Sequence, residues 1–366
     1  MSAPFQSADF FAGSGLVTLG LEPYFQSSWA NDISVGKERI FRINHPGKRF
    51  LRADISDISG KSLPPVDLAW ASFPCQDLSL AGNLNGIDGD RSGLVWEWLR
   101  ILAEMNSPPT VVVAENVYGL LTSNKGRDYQ RLHQSLSDLG YQVGALVVDA
   151  FHFIPQSRVR VFVVGYHGSA APAHQHAAKA GWCHPKALQA LAADIPDFIY
   201  WNLPQPGQRT SSLKDIIDRD VDVPLERSAM MARLIPAAHY QKLLEEWQAD
   251  PLAVFAGYRR TRTDGQRLEV RFDQQSGCLR TAKGGSSKQI LIYQAHNKIV
   301  CRFMSPREAA RAMGAPDSFQ LAGTSNEAYT AMGDAVAVPV TRHLAAHLLA
   351  PLIQLHHATA AHRQPA

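Results

Sequence analysis

The segment ADFFAGSGLVTLGLE, residues 8–22, decides the fold of this chain. A short apolar run ends at Phe11, Gly13 and Gly15 form a tight turn, and an amphipathic stretch follows. Glycine lets the backbone approach a ligand closely, and the start of the next helix offers free N–H groups. The segment therefore predicts a strand, a turn and a helix that suit a nucleotide-like cofactor. It lacks the GxGxxG spacing, so a nicotinamide cofactor is not favoured.

The same alternation continues to about residue 166. Apolar runs predict strands at 8–11, 27–30, 68–72, 110–114, 142–148 and 159–166. Amphipathic stretches predict helices at 16–22, 34–44, 93–105 and 127–139. Strands that alternate with helices indicate an α/β fold with a mostly parallel sheet covered on both faces. The last two strands lie close together around Pro155 and predict an antiparallel hairpin.

The character of the sequence changes after Gly168. Prolines become frequent, and the region predicts a smaller, irregular second domain. Order returns at SPREAARAMG, which predicts a helix capped by Ser305 with Pro306 in its first position. A final amphipathic helix is predicted at 340–355. We therefore expect one domain from residues 1–168 plus 322–357 and another from 169–321.

Composition narrows the class of protein. The chain has 366 residues, 45% hydrophobic and 19% charged, which is typical of a globular protein with a real core. No apolar run predicts a membrane span, and the N-terminus MSAPFQSADFF predicts no secretory signal. The expected location is the cytoplasm, or the nucleoid if DNA is the partner.

The four cysteines are scattered and form no CxxC pair, which argues against a disulfide framework or a zinc ribbon. A group of His174, His176, Cys183 and His184 fits no common zinc spacing, so no metal is expected. The cysteines are Cys75, Cys183, Cys278 and Cys301.

Basic residues are concentrated in one part of a nearly neutral chain. The net charge is only +3, but residues 256–290 contain eight Arg or Lys against three acids. A local basic patch suits a phosphate-contacting face, and a solvated surface is the ordinary alternative.

Two acids follow predicted strands near the glycine turn. Asp32 ends the second strand, and Asp54 lies in RADIS. A carboxylate at the end of the second strand, where Asp32 stands, can accept hydrogen bonds from ribose hydroxyls. Each acid alone fits a surface loop, but with the glycine turn they favour a nucleoside cofactor.

Cys75 follows a predicted strand in AWASFPCQDLSLAGNLNGIDGDRSGL and is preceded by Pro74. Open α/β sheets place their ligands at this position. The polar, glycine-rich loop after it resembles a mobile lid more than a core segment. Cys75 is therefore a candidate nucleophile.

Polar residues also lie at the end of one later predicted strand and at the start of another. Glu115 and Asn116 close the strand in TVVVAENV, where a carboxylate can donate a proton in a desolvated crevice. Arg158 and Arg160 stand two apart in QSRVR, which predicts one shared face and a phosphate or carboxylate partner.

The motifs FAGSG, FPCQ, ENV, QSRVR, SPREAARAMG and GDAVAVPV occur in an order that strongly resembles the DNA cytosine-5 methyltransferases. The resemblance covers nearly the whole chain except about residues 169–270. It implies a Rossmann-like catalytic domain that binds S-adenosylmethionine, and it makes 169–321 a target-recognition domain. The implied activity is transfer of a methyl group to carbon 5 of a cytosine flipped out of duplex DNA.

The resemblance also implies roles for the catalytic residues. Cys75 would add to carbon 6 of cytosine, which makes carbon 5 nucleophilic. Glu115 would protonate or hydrogen-bond ring nitrogen 3, and Asn116 would help shape the pocket. Arg158 and Arg160 would bind the flipped base.

Cofactor contacts are implied at ten positions. Ile33 stands where the family often has a bulky aromatic, and Asp334 stands where it usually has asparagine. The implied cofactor residues are Phe11, Gly13, Gly15, Asp32, Ile33, Asp54, Ile55, Phe73, Asp334 and Val336.

DNA contacts are expected in the loop after Cys75, in the QSRVR motif and in the basic region. These candidates are Gln76, Ser79, Arg91, Gln156, Arg259, Arg260, Arg262, Lys283, Ser286 and Ser287. We expect a monomer. A separate cognate restriction endonuclease is a partner that the sequence leaves open.

Three alternatives stay open at this point. An RNA cytosine-5 methyltransferase would use the same Cys75 and Glu115, but the large second region favours duplex DNA. A DNA-binding relative without activity would not need all the catalytic positions. A nicotinamide-dependent oxidoreductase is disfavoured by the glycine spacing.

Overall fold

The computed structural model describes residues 5–74, 93–168, 179–263, 265–280, 288–295 and 298–361. The chain divides into two compact units. The first contains Met1–Asp149, Val159–Pro206 and Val338–Ala366, and the second contains Ala150–Arg158 and Gly207–Ala337. Residues 169–206 thus fall in the first unit and 322–337 in the second, so these boundaries differ from the expected ones.

The first unit is built on a seven-stranded sheet in the order β3-β2-β1-β4-β5-β7-β6. The first five strands in chain order pair in parallel, and β7 is antiparallel to both of its neighbours, as the hairpin predicted. The strands are β1 (Phe5–Phe10), β2 (Phe25–Asp32), β3 (Phe50–Arg52), β4 (Leu68–Ala71), β5 (Val111–Val117), β6 (Tyr141–Asp149) and β7 (Val159–His167). The α/β fold class is confirmed, whereas β3 was not predicted.

Four helices accompany these strands close to the predicted positions. They are α1 (Leu16–Leu21), α2 (Val35–Asn44), α3 (Leu94–Glu104) and α4 (Arg127–Asp138). Because β1 to β5 run in parallel, they all end at one side of the sheet, which we call the carboxyl edge. Open α/β sheets bind their ligands at such an edge.

Two later segments complete the first unit. The segment that contains α5 (Lys186–Ala193) joins the sheet, since Ile199 N–H donates to the Val143 carbonyl at 3.0 Å and Trp201 Nε1 donates to the Val164 carbonyl at 3.1 Å. These bonds explain why the boundary does not fall at residue 168. The C-terminal helices α11 (Val338–Leu344) and α12 (Ala350–Ala361) follow, joined by a π-helical turn at Ala345–Leu349.

The second unit is more regular than the sequence predicted. It contains a four-stranded antiparallel sheet in the order β11-β10-β8-β9. The strands are β8 (Val254–Arg262), β9 (Gly265–Arg271), β10 (Ile290–Ala295) and β11 (Lys298–Phe303). A core around Trp247, Phe255 and Ile292 packs against it.

Five helices are described in the second unit. They are α6 (Leu213–Ile216), α7 (Leu225–Ala232), α8 (Ala237–Ala249), α9 (Pro306–Arg311) and α10 (Ser325–Asp334). The predicted cap of α9 is confirmed, because Ser305 and Glu308 form a capping box with Pro306 in the first turn. Glu308 also forms a buried ion pair with Arg302, whose Nη1 lies 2.7 Å from Oε2.

One helical stretch, Ser325–Thr359, is long and apolar enough to cross a membrane by length and composition alone. The expectation that no run meets that criterion was therefore wrong. Two thirds of its most apolar window (67%) is buried inside the protein. A helix in a protein core passes the same test, so the stretch is weak support for a membrane span.

Candidate active site at the carboxyl edge

The glycine turn at the end of β1 is held against the end of β2. Phe11 and Gly13 have left-handed backbones, with φ of 56° and 57°. Gly13 N–H donates to Asp32 Oδ2 at 3.0 Å, and Ser34 N–H donates to Asp32 Oδ1 at 2.8 Å. Asp32 thus fixes the turn, and each carboxylate oxygen still has a lone pair to offer a further donor.

Gly13 and Gly15 are required for different reasons. A Cβ on Gly15, where φ is 88°, would lie 2.5 Å from His45 Nε2 and 2.7 Å from Phe41 Cδ2. His45 in turn lies 3.0 Å from the Gly15 carbonyl oxygen. A Cβ on Gly13 would meet only Lys37 Cδ at 3.7 Å and a backbone oxygen at 4.0 Å. Gly15 therefore serves packing, and only Gly13 leaves space for a ligand.

Beside Asp32, Ile33 is 64% exposed. Asn31, which no sequence motif singled out, donates to the carbonyls of Leu51 and Ala53 and so fixes the approach to Asp54. Hydrogen bonds from the Ser56 N–H and hydroxyl hold the pKa of Asp54 below its usual value. An exposed apolar side chain next to Asp32, with Asp54 just after the neighbouring strand, fits the adenosine part of a cofactor.

The other predicted cofactor residues lie in both units and differ in exposure. Ile55 and Phe73 are buried in the core of the first unit. Asp334 and Val336 belong to the second unit, where Asp334 is exposed and Val336 is buried. The side chains of Ile55 and Phe73 therefore pack in the core next to the carboxyl edge.

Asp9 is a buried acid that was not among the predicted site residues. It is only 1% exposed, and its Oδ2 accepts a hydrogen bond from the Thr18 hydroxyl at 2.9 Å. Among the residues that the structure describes, none forms a hydrogen bond with its Oδ1. Burial, with a smaller contribution from the charge of Asp32, raises the pKa of Asp9 to about 7. An acid within an apolar strand next to the glycine turn was the available signal.

Glu115 and Asn116 occupy the end of β5. Glu115 is buried, and its Oε1 lies 3.1 Å from Arg160 Nε. Asn116 Nδ2 donates to the Phe73 carbonyl at 3.0 Å, and its Oδ1 accepts from Val117 N–H at 2.8 Å. Asn116 therefore positions the backbone that leads to Cys75, which itself lies outside the described residues.

Gln156 and Arg158 are buried inside the second unit, contrary to the contacts predicted for them. Gln156 Nε2 donates to the Ala312 carbonyl at 2.7 Å, and its Oε1 accepts from Leu279 N–H at 3.1 Å. Arg158 donates to the carbonyls of Leu279, Gly333 and Ala335 at 3.1, 2.9 and 2.5 Å. Complete burial and these bonds leave neither side chain exposed for a base or a phosphate. The two arginines of QSRVR therefore have different partners: Arg160 pairs with Glu115, and Arg158 binds backbone carbonyls of two loops.

Two other cysteines are poor nucleophiles. Burial raises the pKa of the Cys183 and Cys301 thiols to about 12, so both stay protonated near neutral pH. Cys278 lies 3.2 Å from Arg158 Nη1 within the buried loop contacts.

The predicted DNA-contacting arginines separate into two groups. Arg259 lies 5.4 Å from the centre of the Phe303 ring, in a cation–π contact. Arg260 and Arg262 lie on the other face of β8, about half exposed, and both pair with Glu269. Among these three predicted arginines, the last two are the accessible ones. The predictions for Gln76, Ser79, Arg91, Lys283, Ser286 and Ser287 lie outside the described residues.

Comparison with known proteins identifies the family. The family model for C-5 cytosine-specific DNA methylases matches residues 5–350. The chain belongs to this family. The methylase is thus a DNA (cytosine-5)-methyltransferase, as its motifs predicted.

Curated relatives agree over their whole length. The methylase is 29% identical to the Type II methyltransferase M.NlaX of Neisseria lactamica, over 95% of this chain and 97% of that protein. It is 26% identical to the Type II methyltransferase M.Bsp6I of Bacillus sp. (strain RFL6), over 94% and 98%.

A solved structure shows the shared fold. The Entamoeba histolytica methyltransferase EhMeth matches with a TM-score of 0.64 at 16% identity, covering 94% of this chain and 97% of that one. Within the residues described here, no group of three or more His, Cys, Asp or Glu side chains is placed to hold a metal.

Proposed function

We propose that this methylase transfers a methyl group from S-adenosylmethionine to carbon 5 of a cytosine flipped out of duplex DNA, through a covalent adduct with Cys75. The observation that carries the proposal is the buried Glu115–Arg160 pair near the end of β5. The residue after Glu115, Asn116, binds the Phe73 carbonyl and so holds the backbone that leads to Cys75. A cytosine stacked in a duplex hides carbon 6, so the reaction requires that the base leave the stack.

The cofactor is proposed to lie along the ends of β1 and β2. The open space above Gly13 and the exposed Ile33 beside Asp32 fit its adenosine part. S-adenosylmethionine, when bound, supplies an electrophilic methyl group. Asp32 would accept hydrogen bonds from the ribose while its other lone pairs hold Gly13 and Ser34 in place.

The protein residues would divide the chemistry as follows. The Cys75 thiolate adds to carbon 6 of cytosine, and Glu115 donates a proton to ring nitrogen 3, so the ring takes up the electron pair. Carbon 5 then bonds to the methyl carbon, whose bond to the cofactor sulfur would break and leave S-adenosylhomocysteine. Loss of the carbon 5 proton to solvent water forms the carbon 5–carbon 6 double bond and expels the Cys75 thiolate, while nitrogen 3 returns its proton to Glu115. Arg160 holds the Glu115 carboxylate in position throughout.

DNA recognition is proposed for the second unit. Arg260 and Arg262 on the exposed face of β8 suit phosphate or guanine contacts, whereas Arg259 supports Phe303. The relatives named Type II methyltransferases favour a modification enzyme. We propose that it acts as a monomer in the cytoplasm, beside a separate restriction endonuclease.

Methyl transfer from labelled S-adenosylmethionine to duplex DNA and to folded RNA tests the proposal. We expect label in duplex DNA with the wild type and none with Cys75→Ser. Label in RNA alone would instead support the RNA methyltransferase alternative. Equal transfer by Cys75→Ser would refute the covalent mechanism.

The cofactor site has its own test. A ligand that binds only the folded state raises the melting temperature. We expect S-adenosylmethionine to stabilise the wild type, and NAD to leave its melting temperature unchanged. Asp32→Ala should lower the affinity for S-adenosylmethionine by roughly 10- to 100-fold, as expected when a hydrogen bond to a charged group is removed. Unchanged affinity would remove Asp32 from the site.

A further inference from the structure

Three cations, one in the turn before α4 and two on that helix, surround a pocket at the surface of the first unit. Lys125, Arg127 and Arg131 line a pocket of about 380 Å³, together with Asn124 and Asp128. The three cations are exposed. Asp128 is the only acid among these five residues; it is buried, and its Oδ1 accepts a hydrogen bond from Asn124 Nδ2 at 2.9 Å. The pocket is therefore positively charged.

The backbone of this turn is unusual. Asn124, Lys125 and Gly126 are all left-handed, with φ of 49°, 60° and 86°. This conformation is unfavourable for residues that carry a Cβ. A Cβ on Gly126 would lie 2.2 Å from Leu191 Cδ2, so close packing against α5 holds the turn in this shape. Lys125 and Arg127 consequently project from a fixed backbone.

The positive charges of Lys125 and Arg127 lie at the end of α4 where the helix dipole disfavours them. The amino end of the 12-residue helix α4 carries the positive end of its dipole, where cations are unfavourable. Across the part of the chain that the structure describes, neither Lys125 nor Arg127 has an acidic side chain within ion-pair distance. Arg131 lies 4.9 Å from the centre of the Trp96 ring, in a cation–π contact that helps hold it in place. A bound anion would relieve the repulsion among the three cations and the helix dipole.

We propose that this pocket binds one phosphate of the DNA backbone, away from the target base. The proposal rests on the proposed function, since it requires duplex DNA as the substrate. Because α4 follows β5, its amino end lies at the carboxyl edge, the same edge that carries Glu115. A duplex that brings a cytosine to Glu115 extends its phosphates along this edge. A phosphate contact positions DNA without reading its sequence, so the pocket aligns the duplex and leaves site recognition to the second unit.

Salt dependence of DNA binding measures this interaction directly. Each phosphate that a protein neutralises contributes about 0.9 to the slope of log affinity against log salt concentration. We expect Lys125→Gln/Arg127→Gln to lower the magnitude of the slope by about 0.9 and to weaken binding about tenfold at low salt. The rate at saturating DNA and the affinity for S-adenosylmethionine should stay unchanged, because neither residue lies in the catalytic machinery.

A matched control removes the same charges elsewhere. Arg49 and Lys61 are exposed in the same unit and precede β3 and β4, at the opposite edge of the sheet. Arg49→Gln/Lys61→Gln should leave the slope as in the wild type. An equal change in both double variants, or no change in either, would overturn the pocket as a phosphate site.

Neutral methylphosphonates identify the phosphate. One phosphate of the duplex is replaced at a time. At one position the replacement should weaken DNA binding by the wild type but not DNA binding by Lys125→Gln/Arg127→Gln. If no such position exists but inorganic phosphate raises the melting temperature of the wild type alone, the pocket binds free anions and the DNA proposal is wrong. A wild type that binds no duplex overturns the proposed function as well, whereas one that methylates DNA with an unchanged slope in the double variant overturns the pocket alone.

Discussion

The two halves of the QSRVR motif do different work, although they are adjacent in sequence. Gln156 and Arg158 belong to the second unit and are buried there. Their side chains bind loop residues at 278–279, 312–313 and 333–335, mainly through backbone carbonyls and an N–H. Arg160 belongs to the first unit and holds the one carboxylate at the end of β5. The motif therefore contains two buried side chains that bind backbone groups and one that pairs with a carboxylate, and a spacing of two residues does not distinguish them.

The largest effect is expected at Glu115, the carboxylate that Arg160 of the motif pairs with. Glu115→Gln keeps the shape of the side chain but cannot supply the proton, so the methyl-transfer rate should fall about 10²- to 10⁴-fold. Single-turnover kinetics at saturating DNA and cofactor measures this rate. Its melting temperature should fall much less than that of Arg158→Gln. A variant as fast as the wild type would remove Glu115 from the chemistry.

The structural end should show the reverse pattern. Arg158→Gln leaves several buried carbonyls without donors, which should cost about 3–5 kcal/mol of stability in the second unit. Calorimetry should show a melting temperature lower by roughly 10 °C. Arg158→Lys should recover little of the lost stability, because one ammonium group cannot reach both the Leu279 carbonyl and the carbonyls of Gly333 and Ala335. A stable Arg158→Gln variant that no longer binds the base would instead return Arg158 to the predicted catalytic role.

A smaller effect, on the pH dependence of stability, is expected at Asp9 in the first unit. Its carboxyl is buried in β1, just before the glycine turn. Its pKa of about 7 lies above the ordinary value of 3.8, so the folded protein holds this proton more tightly than the unfolded chain. The resulting stabilisation is complete below about pH 4 and is lost as the pH rises through 7. Asp9→Asn should remove that dependence, so its melting temperature relative to the wild type should rise between pH 5 and pH 8.

Asp54→Asn is the control of opposite sign. The pKa of Asp54 is lowered by Ser56, so its contribution is lost as the pH falls. The difference between Asp54→Asn and the wild type should therefore shrink toward low pH. Parallel curves for Asp9→Asn and the wild type would show that Asp9 does not titrate in this range.

Local patterns predicted the first unit well because its strands and helices alternate with clear apolar periodicity. The strand β3 was missed because it has only three residues, FLR, and depends on pairing with β2 and on the Asn31 side chain. The hairpin of β8 and β9 was missed because YRRTR is highly charged. It forms because residues such as Tyr258 and Glu269 pair across the strands.

The site was predicted in part for a related reason. Asp32, Glu115 and Asn116 follow strands in a parallel sheet, so topology alone brings them to one edge. The partners of Gln156 and Arg158 lie 120 or more residues away in sequence, as in the 177 residues between Arg158 and Ala335. No local pattern specifies such contacts. Asp9 was missed because its significance comes from burial.

The central claim is that this chain methylates cytosine in duplex DNA through Cys75. The most direct measurement is sequencing of methylated cytosines in DNA from cells that express the wild type or Cys75→Ser. We predict cytosines marked at carbon 5 within one short motif for the wild type and none above background for Cys75→Ser. The same marks with both proteins would contradict the covalent mechanism, and no marks with either would contradict DNA as the substrate.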